Sequence, residues 1–135
     1  MENHIKIAGV LSIALAIIHI FLPSYFKWKE NLSTLRLIDR QIMLVHTFFI
    51  ALMIFLAGML SVLSAATLNS TKLGNQITLG LGIFWSLRLY FQLFVYSAAL
   101  WRGKMWETSI HVIFTTIWIY MSIVYLISAY QGFTY

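Results

Sequence analysis

The sequence predicts an all-α integral membrane protein, an antiparallel four-helix transmembrane bundle with an interfacial connector between its first two helices. Three observations predict it. The 135-residue chain is 61% hydrophobic and 10% charged, whereas soluble domains carry about 25% charged residues. Its mean hydropathy is +0.85. Its apolar residues gather into runs at about 5–22, 42–66, 77–100 and 110–130, each near the ~20 residues that cross ~30 Å of hydrocarbon at ~1.5 Å per residue. These runs use nearly the whole chain, so 1–135 reads as a single transmembrane domain whose chemistry is done in the membrane or at its surface.

The first helix spans about 5–22. It is long, has His19 near its end and is followed by Pro23 instead of a small-residue cleavage site, so it reads as a helix and not as a secretory signal. Pro23 is expected to end or redirect it. The next stretch alternates Tyr25, Phe26 and Trp28 with Lys27 and Lys29, the mixture of a chain lying at headgroup level. Asn31 or Ser33 can cap the second helix, expected over about 34–65. Asn69, Ser70, Gly74 and Asn75 then crowd into 67–76, a turn-like segment. The third helix, about 76–100, has Arg88 near its middle, Trp85 before it and Gln92 after it. Gly103 breaks the chain between Trp101 and Trp106, and the fourth helix returns over about 107–130.

Charge sets the orientation. Lys27, Lys29, Arg36, Arg40, Arg102 and Lys104 lie in the connectors after the first and third helices, against Lys6 and Lys72 on the other side. By the positive-inside rule those connectors are cytoplasmic and both termini are outside, in a multi-pass protein. The net charge of +5 is thus a topology signal, and nucleic-acid binding is not expected. The chain has no cysteine, which excludes disulfides, thiolate ligands, thioether-linked haem and cysteine nucleophiles.

The fourth helix carries Glu107, His111, Thr115, Trp118 and Ser122 on one face. A polar row in a membrane-length helix faces the bundle interior or a wet cavity. With the orientation above, His19, His46 and His111 share one depth, about 6 to 9 Å from the cytoplasmic interface. Tyr96 and Gln92 approach that layer from the third helix, and Arg88 lies a turn deeper, with no carboxylate at its level. Glu107 is four residues before His111 and Asp39 seven before His46, positions from which a carboxylate can orient an imidazole or complete a metal site. His4 falls outside this layer.

These residues raise three expectations. In the first, His19, His46 and His111 bind a transition metal, Zn, Cu or Fe, with Glu107 as a further ligand. Asp39, Arg88, Gln92 and Tyr96 then support the site or a lipid-soluble, anionic small molecule at Arg88. In the second, two of the histidines are axial ligands of haem b in an electron-transfer protein, with small residues such as Ala16, Ala51 and Gly58 leaving room for the porphyrin. In the third, the protein is a non-catalytic accessory or assembly subunit, or a homo-oligomer, whose polar residues and small pair Ala57 and Gly58 meet another membrane chain. The pattern names no catalytic residue and no reaction. Membrane lipids are partners in all three.

Overall fold

The computed structural model describes residues 1–134. It is helical throughout, with no strand among the described residues. Four helices are long and apolar enough to cross a membrane: Glu2–Tyr25, Leu37–Leu63, Lys72–Val95 and Met105–Phe133. The contacts divide the chain into two compact units, one formed by Gly9–Leu63 and the other by Met1–Ala8 with the chain from Ser64 onward.

Helix α1 (Glu2–Tyr25) opens with an ion pair between Glu2 and Lys6 at 3.4 Å. It does not stop at Pro23 as expected. Proline removes one N–H and crowds the carbonyl four residues earlier, but in the last turn few bonds are left to lose, and Phe26 N–H still reaches the Leu22 carbonyl at 2.9 Å. The chain leaves through Lys27, whose φ of 51° is left-handed, into the single turn α2 (Trp28–Asn31). The Asn31 amide donates to the Phe26 carbonyl and the Ser33 hydroxyl to that of Glu30, both at 2.7 Å.

Helix α3 (Leu37–Leu63) buries Ala51, Ile54, Gly58 and Ser61, spaced three and four apart along one face. That face meets α1 at two glycines. A Cβ on Gly9 would stand 2.7 Å from the Gly58 carbonyl, and one on Gly58 2.7 Å from the Gly9 carbonyl. The backbones therefore touch. Beyond this crossing, Ala16, Ile20, Phe48, Ala51 and Phe55 line an apolar cavity of about 260 Å³.

The segment expected as a turn over 67–76 is instead helix on both sides of one residue. Helix α4 (Ala65–Ser70) is followed directly by α5 (Lys72–Tyr90). Turn-forming side chains here satisfy the helices themselves: Thr71 Oγ1 accepts the Gly74 N–H at 2.9 Å, and Ser70 Oγ donates to the Ala66 carbonyl at 2.7 Å. Helix α5 passes into one π-turn, Phe91–Val95, and regular structure then breaks at Tyr96, which is extended. The expected continuation to 100 is only a short 3₁₀ turn, Ala98–Leu100. Gly103, at φ +76°, supplies the left-handed residue before α6 (Met105–Phe133).

Helices α5 and α6 pack along their length. Asn75 lies against Gly132, Gly82 against Leu126, and Trp85 stacks on Trp118 at 5.2 Å between ring centres. Early residues of one meet late residues of the other, so the two run in opposite senses. The α6 face is Trp118, Met121, Ser122, Tyr125, Ser128 and Ala129, all buried, a helical stripe that continues the Thr115, Trp118 and Ser122 row.

Candidate polar site at the turn between α5 and α6

A π-turn closes with i→i+5 bonds and often marks a functional site. Here it carries Gln92 inward, to 8% exposure. The Gln92 amide nitrogen lies 2.8 Å from Nδ1 of His111, a hydrogen bond that holds this edge of the imidazole. Trp101 covers the same ring, stacked at 3.8 Å and 11°. Its position is held by the Thr108 hydroxyl, which donates to the Trp101 carbonyl from the first turn of α6. The imidazole is thus fixed at one edge and over one face.

Arg88 stands one turn before Gln92. Its guanidinium lies 5.0 Å from the Trp118 ring and 5.4 Å from that of Tyr96, within cation–π range. Trp118 is also parallel to Phe114, at 5.8 Å and 12°. Among the described residues the guanidinium has no carboxylate and no hydrogen-bond acceptor; the ion pairs present are Glu2–Lys6 and Arg36–Asp39. The surroundings add further unspent polar atoms. Trp85 Nε1, Trp118 Nε1 and Thr115 Oγ1 are buried without partners, and such donors each cost about 1–3 kcal/mol.

The helix end changes the depth expected for Arg88. With the long helix spanning Lys72–Val95, Arg88 lies about 24 Å from its start and about 10 Å from its end, at ~1.5 Å per residue. It is not at the middle of the span, because the π-turn and the break at Tyr96 shorten the segment on that side.

Of the residues singled out in the sequence, the structure joins Gln92 to His111 and Arg88 to Tyr96. Glu107 is exposed in the first turn of α6. His19 and His46 belong to the Gly9–Leu63 unit, and His111 to the other. The His19 ring donates from Nδ1 to the Leu15 carbonyl at 2.7 Å. His46 is exposed, and Asp39 is engaged by Arg36 at 2.9 and 3.4 Å. Among the described residues no group of three or more His, Asp or Glu side chains is gathered to hold a metal ion.

Two contacts were not anticipated. His4, set aside from the polar layer, has Nδ1 2.9 Å from the Tyr120 hydroxyl in α6. Trp101, which composition alone would place in an interfacial belt, is the stacking partner of His111. The signal for it is the short reversal at Gly103, which returns the start of α6 over the residue before the turn.

No protein-family model, no curated protein and no solved structure matches this chain.

Proposed function

We propose that this chain is a multi-pass membrane protein, its long helices forming an antiparallel four-helix bundle, and that its α5–α6 turn binds the anionic head of a lipid-soluble small molecule. The observation that carries this is Arg88, a guanidinium within a membrane-length helix that, among the described residues, meets two aromatic faces and no carboxylate. Intramembrane charges are rare and pair with something. Arginine presents a planar fork that fits carboxylate or phosphate in bidentate fashion. The unpartnered indole N–H groups of Trp85 and Trp118 ask for acceptors in the same neighbourhood. An acidic head answers both demands, and its hydrocarbon portion lies along the exposed apolar faces of α5 and α6.

The excess of basic residues in the connectors after the first and third long helices supports a site in the cytoplasmic half of the bilayer. The experiment is mass spectrometry of lipids and small molecules extracted from protein purified in mild detergent, wild type beside Arg88→Gln. An acidic amphiphile near one per chain in the wild type and depleted at least tenfold in the variant is the expected result. Equal retention in both proteins would sink the proposal.

A second reading, a transition metal or haem b held by histidines, is favoured by His19. Its Nδ1–H is committed to the Leu15 carbonyl, which leaves the Nε2 lone pair free and the ring oriented, the tautomer that ligates metals. Elemental analysis and an absorbance spectrum test it, and failure to take up Zn, Cu, Fe or haem on reconstitution would dispose of it.

A further inference from the structure

The Gly9–Leu63 unit carries an apolar groove that the site at Arg88 does not use. It lies between α1 and α3 beyond the glycine crossing, holds about 260 Å³, and no polar side chain stands among its described lining residues. Its floor is Ala16 and Ala51, which are buried, and its rims include Ile20 and Phe48, 64% and 59% exposed. Two small residues facing each other between large ones leave the space, and it opens onto the surface of the chain. A helix about 10 Å across and rising about 5.4 Å per turn fills about 420 Å³ in one turn. The groove is therefore too small for the body of a helix, whereas a single hydrocarbon chain is slim enough to lie in it.

Positive charge follows the groove toward one end of the same two helices. Arg40 lies eleven residues before Ala51, on the same stripe of α3, and about 12 Å along the helix from Phe48. Lys27 follows Ile20 by about 10 Å in the direction of α1. Arg40 is half-buried with Nε enclosed and unpartnered, and among the described residues no carboxylate engages its guanidinium. Asp39 is held by Arg36 at 2.9 Å. That leaves Glu30 as the one other carboxylate in this stretch, against Lys27, Lys29 and Arg40.

An apolar slot that ends in uncompensated cations fits a molecule with a hydrocarbon tail and a negative head. A second copy of this chain does not fit as well: in the same orientation it would bring its own basic end level with this one, like charge against like. We infer that the groove holds one acyl chain of an anionic phospholipid, whose phosphate lies at Arg40 and Lys27. The inference rests on the reading of the chain as a membrane protein, and is independent of the ligand at Arg88.

The test is photo-crosslinking of the full chain in phosphatidylcholine nanodiscs, with phosphatidylglycerol or phosphatidylcholine carrying a diazirine on one acyl chain, followed by peptide mapping. Label on 16–20 and 48–55 is expected from phosphatidylglycerol in excess by at least about fivefold, the factor that one cation near an anionic head contributes. Arg40→Gln should remove most of that excess. So should Lys27→Asn, where asparagine tolerates the left-handed backbone at φ 51°. Leu52→Trp fills the groove from its rim and should lower label there from both lipids, whereas Arg88→Gln should change nothing. An excess that survives Arg40→Gln combined with Lys27→Asn, or one that vanishes with Arg88→Gln, would overturn the inference. Equal labelling by the two lipids fails the inference alone; a chain that does not enter the bilayer fails the membrane reading and this inference with it.

Discussion

The side chains of Gln92 and His111 meet at 2.8 Å across the turn that joins α5 to α6. Gln92 sits in the π-turn and His111 in the second turn of α6, so the bond ties the least regular part of one helix to the start of the next. Buried polar pairs in membrane helices couple by about 0.6 kcal/mol on average, up to about 1.7. A double-mutant cycle with Gln92→Leu and His111→Leu, read by reversible unfolding in detergent, should give a coupling in that range. Strictly additive effects would mean that the bond contributes nothing.

Trp118 is the hub of the aromatic stack, touching Trp85, Phe114 and Arg88. Trp118→Ala should destabilise the protein by about 3–5 kcal/mol, the usual cost of emptying a large buried site. Trp118→Phe should recover most of this, because it keeps the stacked faces, at about 0.5–1.5 kcal/mol per aromatic pair. Denaturant titration followed by tryptophan fluorescence measures both. A Trp118→Phe variant as unstable as Trp118→Ala would show that stacking is not the source.

The touching backbones of α1 and α3 leave no room at Gly9 or Gly58. Gly58→Val should cost about 1–3 kcal/mol through overpacking. Gly80 is the control, since nothing stands within 4 Å of a Cβ built there. Gly80→Ala should stabilise by about 0.8–1 kcal/mol through helix propensity alone. Melting temperatures in one detergent compare the two, and a neutral Gly58→Val would contradict the close crossing.

The cysteine-free chain is suited to topology mapping. With Lys29→Cys, Gly103→Cys and Lys72→Cys made singly, a membrane-impermeant maleimide added to intact cells should label only the Lys72 variant. This follows from the excess of basic residues in the connectors holding Lys29 and Gly103. External labelling at either connector would reverse the proposed orientation.

The four long helices were legible in the sequence because length and hydropathy alone identify a membrane-length segment. Their ends were not. Phe91–Val95 contains no Gly or Pro to announce the π-turn, and Asn69, Ser70 and Thr71 serve a helix start as readily as a turn. The stripe through Thr115, Trp118 and Ser122 was legible, since faces follow from the 3.6-residue period. The meeting of Gln92 with His111 was half legible: spacing from an interface gives height along a helix. It does not say which helix stands beside which, and that is why the histidine layer cannot be turned into a ligand set from spacing alone. The contact of His4 with Tyr120 was not legible for a related reason, because its partner lies 116 positions away and leaves no local pattern.

The π-turn at Phe91–Val95 has a consequence for how this protein tolerates changes of length. It holds one residue more than the α-turn that would replace it. Removing a single residue from that stretch restores an ordinary α-turn and leaves the residues beyond it at the same bearing around the axis, because the extra residue is absorbed within the turn. Arg88 and Tyr96 would keep their bearings, whereas Gln92, inside the turn, would be displaced from His111. Homologous chains differing by one residue here would therefore differ in the contact made to His111 while sharing every helix.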